Sequence, residues 1–134
     1  ERPDHTFLFL TKNPIDAPWD EVSECDNALL GVTATDQRSY DRLVSRTPPR
    51  NFISLEPLLG PIRPWGIHRW IIVGAETGNR RGKVRPDLSW LLAIRDYASA
   101  HGVPLFFKRS LREVWPAIDD EAFPQEYPAA VAAR

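Results

Sequence analysis

The sequence predicts an α/β fold of about five mainly parallel strands with flanking helices. Five short runs are rich in Phe, Ile, Leu and Val, and they are nearly continuous in apolar character instead of alternating. That pattern is typical of strands covered on both faces, as in parallel sheets. Helix-compatible segments lie between several runs, and strands that alternate with helices through right-handed crossovers build a parallel sheet.

The predicted strands are bounded by Pro, Gly or Asn and occupy residues 6–11, 28–33, 51–56, 70–76 and 103–108. A first helix is predicted over residues 36–47. In it Tyr40, Leu43 and Val44 recur at helical spacing, and two prolines that cannot continue a helix follow. The five tryptophans are interpreted as core or helix–sheet packing residues: Trp19, Trp65, Trp70, Trp90 and Trp115.

A second helix is predicted over residues 85–102, with Asp87 as its N-cap and Gly102 as its C-terminal stop. The connection over residues 57–68 is rich in Pro and Gly and is too short for a full helix. We therefore expect one turn of helix there at most.

The composition favours one ordinary globular domain. The chain has 134 residues, 43% hydrophobic and 26% charged, with a formal net charge of −1. This charge gives no reason to expect nucleic acid as a partner, and no apolar run is long enough for a membrane span. We predict an α/β domain over residues 1–110, followed by a short helix and a Pro- and acid-rich tail over residues 111–134.

The single cysteine indicates that the protein does not depend on an oxidising compartment, so the cytoplasm is the predicted location. The chain has no methionine, even at position 1, and reaches a strand-like run within six residues. We expect that further residues once preceded Glu1.

Polar side chains follow every predicted strand. Ligands of α/β sheets bind at the carboxyl ends of parallel strands, where side chains from several strands converge. Unpaired charges are costly to bury, so a shared polar site explains these residues better than separate coincidences do. The alternative is a set of structural salt bridges between neighbouring strands. The predicted ligand-binding residues are Lys12, Thr33, Asp36, Glu56, Glu76 and Lys108.

A cationic loop lies beside this edge, within residues 77–86. It is a candidate anion-binding site, the alternative being a solvated, mobile loop. Its cations are Arg80, Arg81, Lys83 and Arg85. No metal site is predicted, because the three histidines lack carboxylates or cysteines at metal-ligand spacing. No catalytic residue is assigned.

Five segments in this order resemble the C-terminal half of an uncharacterised bacterial and phage family: FLTKNP, LLGVTATDQ, ISLEPLLGPI, WIIVGAETG and GVPLFFK. It is known as the phage gene 37/gene 68 family, or as a three-cysteine-motif family related to radical S-adenosylmethionine (SAM) enzymes. The resemblance covers about residues 5–110. It implies half of a TIM-like barrel, completed by an N-terminal half whose three cysteines hold a four-iron, four-sulfur (4Fe-4S) cluster.

The resemblance implies SAM and the cluster as cofactors of the complete family protein and none in this chain, because those cysteines are missing here. Cys25, between two acidic residues, is interpreted as an incidental loop thiol. The expected partner is the missing half or a second copy of the chain, which would cover the exposed edges of a half-barrel.

Three functional hypotheses remain open from the sequence. The first is the C-terminal part of a radical-SAM-like barrel protein that supplies pocket residues at the strand ends. The second is a small non-catalytic α/β domain that binds a ligand or a protein. The third is a cluster-free enzyme that uses Glu56 and Glu76 as an acid–base pair.

Overall fold

A computed structural model describes residues 4–48, 51–116 and 123–129. In chain order its elements are β1 (Phe7–Thr11), α1 (Trp19–Ser23), β2 (Ala28–Ala34), α2 (Gln37–Val44), β3 (Asn51–Leu55), β4 (His68–Val73), α3 (Leu88–His101), β5 (Leu105–Phe107) and one turn of 3₁₀ helix (Arg109–Leu111). No helix within these residues is long and apolar enough to cross a membrane.

The strands form one sheet in the order β1-β2-β3-β4-β5, and every neighbouring pair is parallel. The predicted α/β class with parallel strands is therefore confirmed. Each strand lies beside its predecessor. Residues from all four connections join or pack against the main core: Trp19, Leu43, Leu58 and Ile94. The connections therefore lie on one face of the sheet. This sequential order is compatible with part of a closed barrel.

The two faces of the sheet have different partners. Alternate residues such as Val32, Ile53 and Ile71 join the helices in the main core, which includes Leu43 of α2 and Ile94 of α3. The intervening residues form a second cluster on the other face. Within the described residues no helix packs there, so we call this face the helix-free face. The members of the cluster are Leu29, Phe52, Trp70 and Ile72, with Phe106 packed against them.

Both predicted helices are present, and local hydrogen bonds and backbone conformation explain their ends. Asp87 caps α3, and Gly102 ends it in the left-handed conformation with φ 62°, so both predictions are confirmed. Helix α2 ends at Val44, three residues before the predicted end. The amides of Arg46 and Thr47 donate to carbonyls three residues back, so the chain tightens before Pro48.

Helix α1 was not predicted, because its five residues are too short to show a helical apolar pattern. The connection over 57–68 contains no helix, as expected. The packing prediction for the tryptophans is wrong for Trp65, which is 41% exposed. Its indole Nε1 donates instead to Asp41 of α2 at 2.7 Å. The other four tryptophans are buried or packed against a core cluster.

The two edges of the sheet differ. The β5 edge is covered by residues 123–129, because the Phe107 amide donates to Pro124 and the Glu126 amide donates to Leu105. On the opposite edge the four apolar residues of β1, from Phe7 to Leu10, are 42–52% exposed. The expectation that every strand is covered on both faces is therefore wrong for β1, because helix α1 packs against β2.

Candidate functional site

Three residues form a row directly beyond the carboxyl ends of β3, β4 and β5. Leu55 pairs with Val73, and Val73 pairs with Phe107. The backbone ladder continues past these pairs, because the Gly74 amide donates to Leu55 at 3.1 Å and the Lys108 amide donates to Val73 at 2.8 Å. Glu56, Gly74 and Lys108 therefore stand side by side.

The two charged residues of this row meet across the glycine. Lys108 Nζ contacts Glu56 Oε2 in an ion pair whose side chains are 46% and 30% exposed, respectively. A Cβ atom added at Gly74 would stand 2.8 Å from Glu56 Cδ and 3.0 Å from its Cγ. The missing side chain at position 74 thus lets Glu56 cross β4 and reach Lys108 on β5.

Two hydroxyls lie one pleat below this ion pair. Side chains two residues apart on a strand share a face, so Ser54 lies on the same face as Glu56. Thr33 pairs in register with Ser54 and therefore shares that face. Ser54 is 4% exposed and Thr33 is half-buried. The helix-free face thus offers a carboxylate, an ammonium group and two hydroxyls at its carboxyl end, above the apolar cluster.

Glu76 lies three residues beyond the end of β4, and its carboxylate accepts hydrogen bonds from the loop that follows it. Its Oε1 accepts from Arg80 Nε at 2.6 Å, and its Oε2 accepts from Arg80 Nη2 at 2.8 Å and from the Val84 amide at 3.0 Å. The hydrogen bonds from Arg80, and then that from Val84, lower the pKa of Glu76 to about 2. Glu76 is therefore ionised at neutral pH and fixes the loop that follows it.

Other cations of the 77–86 loop also have intramolecular partners. Lys83 Nζ donates to the Gly78 carbonyl at 3.3 Å. Arg85 Nη2 donates to the Glu113 carbonyl at 2.8 Å. Arg81 is exposed. The loop is consequently held by hydrogen bonds to its own chain, and its predicted role in anion binding stays a prediction.

Asp36 serves as the N-cap of α2. Its carboxylate accepts from the Ser39 amide at 2.8 Å, while the Ser39 hydroxyl accepts from the Asp36 amide. The amide and then the hydroxyl of Ser39 lower the pKa of Asp36. Helix capping accounts for the position of this aspartate, and its predicted role in ligand binding stays a prediction.

Lys12 lies apart from the Glu56–Lys108 pair, in a small pocket against α2. The pocket has a volume of about 200 Å³ and is lined by Lys12, Asn13, Pro14, Arg42, Leu43 and Arg46. Sequence reasoning missed Arg42 and Arg46. The available signal was the spacing of four residues from Arg42 to Arg46, which places two cations on one side of the helix predicted over residues 36–47.

The iron–sulfur cluster implied by the family resemblance does not fit the residues of this chain. Cluster irons need several thiolates, and the sequence has one cysteine. Cys25 is exposed, and its Sγ lies 3.5 Å from the Glu21 carbonyl oxygen. Among residues 4–48, 51–116 and 123–129, no group of three or more His, Cys, Asp or Glu side chains is arranged to hold a metal ion.

Comparison with protein families identifies a family for this chain. The model of a family described as a protein of unknown function, DUF5131, matches residues 1–115. No curated protein and no solved structure matches the chain. The matched range includes every residue of the Glu56–Lys108 site and of the pocket at Lys12.

Proposed function

The chain belongs to the DUF5131 family of proteins of unknown function, and we propose that it forms the later strands of a radical-SAM-like barrel protein. In this proposal the family corresponds to the phage gene 37/gene 68 proteins that the five sequence segments resemble. The chain supplies pocket residues at the carboxyl ends of its strands, and the cluster comes from elsewhere in the complete protein.

The observation that carries the proposal is the Glu56–Gly74–Lys108 row on the helix-free face. In a TIM-like barrel the helices lie outside, and ligands bind at the carboxyl ends of the strands. A sheet whose strands follow one another in sequence order, with its helices on one face, has the arrangement of such a barrel opened along one side.

The chemistry of the row suits a small ligand with groups of both charges. The Glu56 carboxylate accepts hydrogen bonds from hydroxyl or ammonium groups, and the Lys108 ammonium donates to a carboxylate or phosphate. When the ligand enters, the ion pair opens, and each side chain exchanges its partner for a ligand group. SAM presents an ammonium group, a carboxylate and ribose hydroxyls, so it matches this donor and acceptor set.

The proposal requires the cluster thiolates to come from outside this chain, because its one cysteine cannot supply them. The exposed edge at β1 favours a partner that continues the sheet, since an edge strand presents unpaired backbone groups. The partner we propose is the cysteine-bearing N-terminal half, with a second copy of the chain as the alternative.

The test is to express the complete open reading frame under anaerobic conditions and to measure iron, sulfide and SAM binding, with this chain alone as the control. We expect iron, sulfide and saturable SAM binding in the complete protein, and neither iron nor sulfide in this chain. A complete protein that contains no iron and does not bind SAM would contradict the proposal.

A second candidate is a non-catalytic α/β domain that binds a ligand or a protein. It is favoured by the two ion pairs that close within the chain, Glu56–Lys108 and Glu76–Arg80. Variants Glu56→Gln and Lys108→Ala that gain stability and keep ligand binding would support it. The acid–base pair hypothesis is disfavoured, because a carboxyl with a pKa of about 2 is a poor proton carrier near neutral pH.

A further inference from the structure

We infer that the pocket formed by Lys12, Arg42 and Arg46 binds a phosphate group. The pocket lies between the end of β1 and helix α2, and Asn13, Pro14 and Leu43 complete its lining. This inference is independent of the proposed function, because none of these residues belongs to the Glu56–Lys108 site. We call it the β1–α2 pocket.

The charge in the β1–α2 pocket is unbalanced. None of its three cations makes an ion pair within the described residues. Like charges gathered in a concave site repel one another, and a bound anion removes that repulsion. The pocket therefore gains electrostatic stability when an anion enters.

Three aspartates near these cations in the sequence already have other partners. Asp36 caps α2, and Asp41 accepts from Gln37 Nε2 at 2.8 Å and from Trp65 Nε1 at 2.7 Å. Asp16 accepts from Asn13 Nδ2 at 2.7 Å. The hydrogen bonds that hold these carboxylates come from neutral groups or backbone. The hydrogen bonds of Ser39 and, to a smaller extent, the charges of Arg38 and Arg42 lower the pKa of Asp36. Asp36 and Arg42 nevertheless form no ion pair within the described residues.

Helix stability does not account for all three cations. Arg42 lies in the last turn of α2, where a positive charge interacts favourably with the helix dipole by about 0.3–1 kcal/mol. Lys12 belongs to the turn after β1 and receives no such benefit. The dipole therefore does not explain why a third cation is brought to the same pocket from another element.

The turn that carries Lys12 is fixed by its own hydrogen bonds. Thr11 Oγ1 donates to the Asn13 carbonyl at 3.1 Å and accepts from the Asn13 amide at 3.0 Å. Trp19 Nε1 donates to the Pro14 carbonyl at 2.7 Å, and Pro14 is buried. One wall of the pocket is thus pre-organised, which reduces the entropy lost when a ligand binds.

Size and donor geometry select the ligand class. A volume of about 200 Å³ is below the roughly 300–1,000 Å³ of pockets for drug-sized molecules. The pocket therefore fits one small oxyanion group. Guanidinium groups match phosphate through paired N–H donors, and the lysine adds a point charge. Phosphate is favoured over carboxylate because its oxygens can accept from all three cations together.

The direct test is a calorimetric titration of the protein with inorganic phosphate, with chloride added to keep the ionic strength constant. The test variants are Arg42→Gln, Arg46→Gln and Lys12→Gln. The matched control is Arg38→Gln, which removes the same charge from the same helix outside the pocket. We expect saturable binding by the wild-type protein and by the Arg38 variant. Each test variant loses about tenfold or more in affinity, the loss of one charge-assisted hydrogen bond.

Further measurements identify the source of the phosphate group and check that each variant is folded. ADP that binds more tightly than inorganic phosphate would indicate a nucleotide, whereas equal affinities indicate the free anion. Circular dichroism checks the fold of each variant, and Arg42→Lys, which keeps the charge, must retain most of the binding. Glu56→Gln must bind phosphate normally, so a failure of the proposed function leaves this result unaffected.

Three results would overturn the inference. The first is absence of saturable phosphate binding by the wild-type protein. The second is an equal loss in the Arg38 and Arg42 variants, which would indicate a response to net charge. The third is binding of single-stranded RNA that neither inorganic phosphate nor ADP displaces. Such binding would assign these cations to a nucleic-acid surface.

Discussion

Two ion pairs at the ends of neighbouring strands look alike in the sequence and differ in the structure. Glu56 directly follows β3 and reaches across β4 to Lys108. Glu76, just beyond β4, binds Arg80 four residues later and the amide of Val84. The first pair joins distant parts of the chain across the helix-free face of the sheet. The second pair closes a single loop.

The difference shows that a charge at a strand end does not reveal its role until its partner is known. A local partner such as Arg80 fixes loop conformation, and the hydrogen bonds that the Glu76 carboxylate accepts come from Arg80 and Val84 of that loop. A partner on another strand leaves both charges at the carboxyl end of the sheet, where in the proposed function a ligand replaces either one. The predictions below test this distinction.

The largest effect is expected at Gly74. In Gly74→Val the new side chain occupies the space of the Glu56 carboxyl, where a Cβ would stand 2.8 Å from Cδ. We expect a loss of about 1–3 kcal/mol in the free energy of unfolding, the usual cost of overpacking, together with loss of ligand binding. Urea denaturation measures the first effect. Gly60→Val is the control, because a Cβ at Gly60 meets nothing within 4 Å; equal losses in the two variants would contradict the prediction.

A substitution at Gly78 tests whether the loop that contains the Glu76–Arg80 pair takes part in ligand binding. Gly78 has φ 91°, a conformation that side chains with a Cβ rarely adopt. We expect Gly78→Ala to destabilise the protein by about 1–2 kcal/mol through backbone strain and to leave ligand binding unchanged. Thermal denaturation and a binding titration of the same sample check both parts. Loss of binding in a folded Gly78→Ala variant would place the loop within the ligand site.

The dependence of the unfolding free energy on pH in the acid range should depend on Glu76. Its pKa is lowered from 4.5 to about 2 on folding, so its ionised form contributes stability that is present above about pH 4.5 and is lost as the pH falls toward 2. Glu76→Gln should flatten the dependence of the unfolding free energy on pH in that window. Asp36 and Asp87, whose pKa values are also lowered, keep their contributions in both proteins. An unchanged slope would show that the Arg80 contact does not persist in solution.

The smallest effect on stability is expected for the Glu56–Lys108 pair itself. Both side chains are partly exposed, at 30% and 46%, and ion pairs of this kind contribute about 0–1 kcal/mol. A double-mutant cycle with Glu56→Gln and Lys108→Met should give a coupling energy within that range. A coupling well above it would indicate a structural ion pair and would favour the non-catalytic alternative.

The fold was largely predictable because its signals are local. Continuous apolar runs marked the strands, and Asp87 and Gly102 marked the ends of α3. The exposure of β1 was not predictable, because a continuous apolar run gives the same sequence pattern whether or not another element covers it. The predicted boundary between a domain over 1–110 and a tail over 111–134 stays a prediction. Phe123 from the tail packs in the main core, and residues 117–122 and 130–134 lie outside the described residues.

The arrangement of the candidate site was predictable in part, and its role in ligand binding stays a prediction. The edge of the sheet and the identities of Glu56 and Lys108 followed from strand ends, but their pairing depends on sheet order and on Gly74. The capping role of Asp36 had a sequence signal in Ser39, three residues later. The position of Lys12 beside α2 arises from the turn after β1, whose direction no local pattern specifies.

The central claim is that the Glu56–Lys108 pair holds the ligand and the Glu76–Arg80 pair does not. The most direct measurement is the calorimetric affinity for SAM of the complete protein, expressed anaerobically, as wild type, Glu56→Gln and Glu76→Gln. We predict that Glu56→Gln lowers the affinity by about tenfold or more and that Glu76→Gln leaves it close to that of the wild type. Equal effects of the two substitutions, or a wild-type protein that does not bind SAM, would contradict the account.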